Sequence, residues 1–79
     1  MQLELHVKNI NLDMEYICTG RRANGLFFTA QILFTNNVFK RVRFDIPTPY
    51  DREGWAFLAG VEAQIQEIEK RIEKGAKVI

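Results

Sequence analysis

The stretch FTAQILFTNNVFKRVRFDI, residues 28–46, decides the fold. Phe28, Ala30, Ile32 and Phe34 alternate with Thr29, Gln31 and Leu33. Beyond TNN a second alternation sets Val38, Val42, Phe44 and Ile46 against Phe39, Arg41, Arg43 and Asp45. Apolar side chains at every second position mark strands with one buried face. A short Asn-containing break between two such runs marks a hairpin.

The loop length follows from parity. A two-residue turn at Asn36–Asn37 would set Phe34 opposite Phe39 and Ile32 opposite Arg41, mixing core with charge, because a one-residue slip turns every side chain to the other face. A three-residue loop, Thr35 to Asn37, pairs Phe34 with Val38, Ala30 with Val42 and Phe28 with Phe44. Lys40 then stands opposite Ile32, where its long stem can reach past the sheet. This is the expected register, with Asn37 left-handed at the end of the loop. It places Phe27, Leu33, Phe39, Arg41 and Arg43 on the outer face.

Upstream, Leu3, Leu5 and Val7 share one parity, and Ile10, Leu12, Met14, Tyr16 and Cys18 the other. The change near Lys8–Asn9 predicts either one bent strand with a bulge or two strands joined by a tight turn; both stay open. TGRRANG, residues 19–25, reads as a turn, with Asn24–Gly25 its strongest signal.

Downstream, Pro47 and Pro49 end the strand region. Thr48 is the expected N-cap, Pro49 the first helical position and Asp51 the acidic member of a capping box. Leu58, Val61, Ile65, Ile68 and Ile72 recur at helical spacing, widened by Trp55, Ala59 and Ala63. Gly75 follows Arg71 and Lys74 where a C-cap glycine belongs.

The expected fold is therefore α+β: an antiparallel three- to four-stranded β-meander with one long C-terminal α-helix packed across one face. Strands are placed at about 2–18, 26–34 and 38–46 and the helix at about 49–74, in one domain spanning residues 1–79. The predicted core is Leu12, Met14, Tyr16, Phe28, Ile32, Phe34, Val42, Phe44, Trp55, Leu58, Val61 and Ile65.

Composition narrows the chemistry. The 79 residues leave no room for a second core, and 47% hydrophobic residues exceed what a disordered chain carries. A net charge of +1 argues against general polyanion binding. A single cysteine cannot form an internal disulfide and suits a reducing compartment. The N-terminus has no leader pattern, and no apolar run is long enough to span a membrane. A soluble, cytoplasmic protein is expected.

Catalysis is not expected. His6 is the sole histidine and points outward by parity. Cys18 is predicted to be half-buried and unreactive, and spacing suggests no third partner for a His6–Cys18 dyad. The glycines, at 20, 25, 54, 60 and 75, make no phosphate-binding loop, and no spacing suits a metal. Neither a cofactor nor a metal is expected, and His6 is given no role.

Three surfaces remain. Phe27, Leu33, Phe39, Arg41 and Arg43 have the aromatic and arginine composition of a protein-binding patch, which is the leading expectation. Arg21, Arg22, Lys40, Arg41 and Arg43 form the basic set that a nucleic-acid-binding sheet would use, the alternative. Ile68 and Ile72, flanked by Glu, Lys and Arg, could serve as a short helix-pairing seam in a homodimer. In outline, a very short chain with a β-meander and one long C-terminal helix, the protein resembles some small phage-encoded inhibitors, anti-CRISPR proteins among them. That resemblance implies action by occluding a partner's surface, and it carries no site residues across.

Overall fold

The computed structural model describes residues 2–47 and 51–73. Four strands, β1 (Leu3–Ile10), β2 (Asp13–Arg21), β3 (Phe27–Thr35) and β4 (Val38–Asp45), form one antiparallel sheet in the order β1-β2-β3-β4. Helix α1 (Arg52–Glu73) follows and covers one face. The expected α+β meander is the observed fold.

The parity change upstream is a turn between two strands. Ile10 pairs with Asp13, leaving Asn11–Leu12 as the connection, and Asn11 has φ 56°. Leu3, Leu5 and Val7 thus stand opposite Gly20, Cys18 and Tyr16 on one face. Leu12 sits at the tip of the turn, 66% exposed, so its predicted place in the core is corrected. β2 also runs past residue 18 to Arg21, because Gly20 pairs with Leu3 on one side and Phe28 on the other.

The β3–β4 register corrects the three-residue loop. Thr35 pairs with Val38 and Phe34 with Phe39, so the connection is the two-residue turn Asn36–Asn37. Both asparagines have positive φ, 52° and 67°. That is the signature of the type I′ turn, whose twist matches that of the flanking strands. The clash of core with charge that this turn threatens is relieved by a bulge. Beyond it Leu33 pairs with Arg41 and Ile32 with Val42, leaving Lys40 as the extra residue. Parity is restored for Arg41, Val42, Arg43 and Phe44, while Phe39 stays on the core side.

The core gathers Cys18, Phe28, Ala30, Ile32 and Phe34 from the sheet with Phe57, Val61 and Ile68 from the helix. Phe28 and Phe57 stack with ring centroids 5.1 Å apart. Phe57 replaces Leu58 as the buried residue of its turn, so the front half of the stripe is rotated from the expected phase. Trp55 is turned out, 64% exposed, and is not a core residue; Phe44 is 44% exposed. At 22 residues the helix is about 33 Å long, close to the roughly 30 Å of a nine-residue strand. The helix and the sheet thus match in length, and Ile68 is 4% exposed within the core.

The helix begins at Arg52, later than expected. Asp51 is its cap: the Gly54 amide donates to Asp51 Oδ1 at 3.2 Å, and the Trp55 amide donates to the Asp51 carbonyl at 3.0 Å. Thr48, Pro49, Lys74 and Gly75, to which capping roles were assigned, lie outside the described residues. Among the described residues no helix is long and apolar enough to cross a membrane.

Candidate functional site

The outer face of the sheet is built by strand alternation alone. Its rows run Lys8–Glu15–Leu33–Arg41 and His6–Ile17–Gln31–Arg43, with Glu4–Thr19–Thr29–Asp45 beside them. Phe27, Leu33, Arg41 and Arg43 lie here as expected, and Phe27 carries the Arg21 guanidinium 4.8 Å from its ring centre. Phe39 does not join them. It packs edge-on against Phe34 at 5.6 Å, on the core side. The predicted patch of Leu33 with Phe39 therefore does not form. In the strand rows of this face the cations Lys8, Arg21, Arg41 and Arg43 are interleaved with Glu4, Asp13, Glu15 and Asp45, while Lys40 is exposed at the bulge.

Arg22 is also withdrawn from the basic set. It is 3% exposed, with Nη1 donating to Asp51 Oδ2 at 2.7 Å and Nη2 donating to the Pro47 carbonyl at 2.8 Å. Its guanidinium lies 4.6 Å over the Phe28 ring, and Glu53 stands 3.7 Å away. Glu53 also accepts from the Ala23 amide at 2.8 Å. Arg22 thus joins the β2–β3 loop to the start of the helix. The Gly54 amide first, with help from the Arg22 guanidinium, holds the Asp51 carboxyl below the usual carboxylate range, in opposition to desolvation.

An apolar groove opens between β4 and α1. With the helix seated on β3, β4 is left partly uncovered, and Val42 and Phe44 form one wall. Trp55, Leu58, Ala59, Val61 and Ile65 form the other, enclosing about 440 Å³. Glu62 is the one charged residue in this lining. A smaller recess of about 240 Å³ lies at the far end of the helix, where Ile68 and Ile72 meet Met14, Tyr16 and Phe34. Ile68 is there a core residue, which corrects its assignment to a helix-pairing seam; Ile72 is half-buried beside it.

His6 and Cys18 lie on opposite faces of the sheet, because His6 pairs with Ile17 and Cys18 with Leu5. They cannot act together. Cys18 is fully buried, more deeply than expected, and burial pushes its thiol pKa up. His6 is exposed, with Nε2 3.7 Å from Glu4 Oε1. Among the described residues no three His, Cys, Asp or Glu side chains gather into a group able to hold a metal ion.

Sequence reasoning missed the groove because it assigned Trp55 and Phe44 to the core. A signal was present: Trp55, Phe57, Leu58, Val61 and Ile65 cover a wider sector of the helix than one sheet contact uses. Comparison with known proteins adds nothing to this geometry, since no family model, curated protein or solved structure matches the chain.

Proposed function

We propose that this chain is a non-catalytic protein-binding module that docks a partner in the groove between β4 and α1. The observation that carries this reading is the exposure of Trp55 and Phe44 on facing walls of an apolar groove. Tryptophan is the side chain most enriched among binding hot spots, and a concave apolar site gives it the desolvated surroundings that such spots require. Glu62 in the lining favours a partner segment whose apolar anchor is flanked by lysine or arginine. The mode of action is occlusion of the partner's surface, in keeping with the resemblance to small phage-encoded inhibitors. A single buried thiol suits action in the cytoplasm.

The test is affinity capture with the wild type, with Trp55→Ala/Phe44→Ala and with Arg41→Ala/Arg43→Ala. A partner lost by the first pair and kept by the second supports the groove. Retention by the first pair would sink it. Salt-sensitive binding of short oligonucleotides, measured by fluorescence anisotropy at about 50 and 200 mM salt, would instead favour the nucleic-acid alternative.

A further inference from the structure

The two edges of the sheet are not alike. β4 carries the Lys40 bulge, a common device for blunting an edge against unwanted pairing. β1 pairs with β2 over all eight of its residues without a register shift, and it contains neither proline nor glycine. Among the described residues its other side meets no strand. It is the edge of this sheet that is open to addition.

The side chains of β1 read as a palindrome of chemistry. About His6, the sequence LELHVKN sets Leu5 against Val7, Glu4 against Lys8 and Leu3 against Asn9. In an antiparallel pair, residues opposite one another share a face, so a self-pairing strand must be centred on a residue. Centred on His6, Glu4 of each copy stands opposite Lys8 of the other on the outer face, and Leu5 stands opposite Val7 on the core face. Centring on Val7 would put Glu4 opposite Ile10; centring on Leu5 would put Lys8 opposite Gln2. The His6 register alone satisfies both charges and covers Val7, which is 54% exposed in the single chain.

We infer that β1 is a self-association edge. Two copies pair antiparallel through residues 3–9 about a dyad at His6 and make one continuous eight-stranded sheet with both helices on the same side. The contact is isologous and therefore closed. The bulged β4 edges lie at the two ends, so growth stops at the dimer. One strand pair is small for a specific interface, below about 1,200 Å² in total, which predicts a weak and reversible dimer. The groove is not part of this contact, so the dimer does not depend on the proposed docking function.

Two measurements test the inference. Sedimentation equilibrium from about 10 μM to about 1 mM, the range suited to a weak contact, should show a monomer–dimer equilibrium. Glu4→Lys and Lys8→Glu should each weaken it on the order of tenfold, since both symmetry-related pairs turn from attraction to repulsion. The double variant Glu4→Lys/Lys8→Glu should restore it, and Trp55→Ala/Phe44→Ala should leave it unchanged. A monomer across the whole range overturns the proposal, as does a dimer indifferent to the charge reversals. Cross-linking covers the case in which a charge variant folds poorly. His6→Cys should form a disulfide-linked dimer under mild oxidation, because its two copies face each other at the dyad. Glu4→Cys should not, with its copies about 13 Å apart along the strands, and Cys18 is buried. Equal cross-linking of both cysteine variants would rule out the His6 register.

Discussion

Arg22 Nη1 and Asp51 Oδ2 are 2.7 Å apart across 29 residues of chain, and through them the β2–β3 loop holds the start of the helix. Arg22→Met keeps much of the apolar stem but loses the bond to the Pro47 carbonyl and the contact with the Phe28 ring. It should cost about 2 kcal/mol, the range for a charge-assisted hydrogen bond at a buried donor. Urea unfolding would read this as a lower midpoint with an unchanged slope.

The same pair sets an acid dependence. The folded-state pKa of Asp51 is lowered, so its contribution is fully present above the ordinary carboxylate pKa and is lost as pH falls through the depressed value. The window therefore lies below about pH 4. Asp51→Asn should be less stable than wild type at neutral pH, and the gap should narrow in acid. A gap that stayed constant from pH 6 to pH 3 would show that the charge of Asp51 is not involved.

Phe39 and Arg41 should behave in opposite ways. Phe39→Ala removes the edge contact with Phe34 and should cost about 2 kcal/mol, less than the roughly 3–5 kcal/mol of a fully buried phenylalanine because this ring is half-buried. Arg41→Ala, on the exposed outer face, should stay within about 0.5 kcal/mol of wild type. Thermal melts of the two single variants distinguish this arrangement from one in which Phe39 faces solvent.

The Asn36–Asn37 turn allows a test of sign. Both residues are left-handed, which asparagine tolerates and a β-branched residue does not. Asn37→Gly should be neutral or slightly stabilising, and Asn37→Val should cost about 1–2 kcal/mol. If both changes were neutral, the turn would not be a left-handed pair.

Gly60 sits mid-helix because Leu3 approaches it. A β-carbon there would lie 2.6 Å from Leu3 Cδ1. Alanine gains about 1 kcal/mol of helix propensity over glycine, but only where there is space. In a Leu3→Ala background, Gly60→Ala should stabilise by about that amount, and in wild type by clearly less. A double-mutant cycle with no coupling would place Leu3 elsewhere.

The residues that made the architecture legible are those whose pattern is local. Alternation along residues 28–34 and 42–46, the Asn-containing breaks and the apolar period from Val61 to Ile72 each follow from backbone geometry. They specified the β3–β4 hairpin, the helix and an antiparallel meander without reference to distant residues, while one bent strand or two stayed open for residues 2–18, which pair as β1 and β2. Three features were decided only by tertiary structure. Phe39 faces the core because a two-residue turn and the packing of Val42 compete for register, and a bulge at Lys40 accommodates both. Phe57 rather than Leu58 faces the sheet because the apolar sector of the helix admits either phase, and stacking on Phe28 selects one. Arg22 is buried because Asp51, Glu53 and the Pro47 carbonyl, more than twenty residues away in sequence, converge on it. In each case local pattern leaves two near-equivalent states, and long-range packing chooses between them. That choice also turned Trp55 and Phe44 outward, and with them the groove proposed to bind a partner.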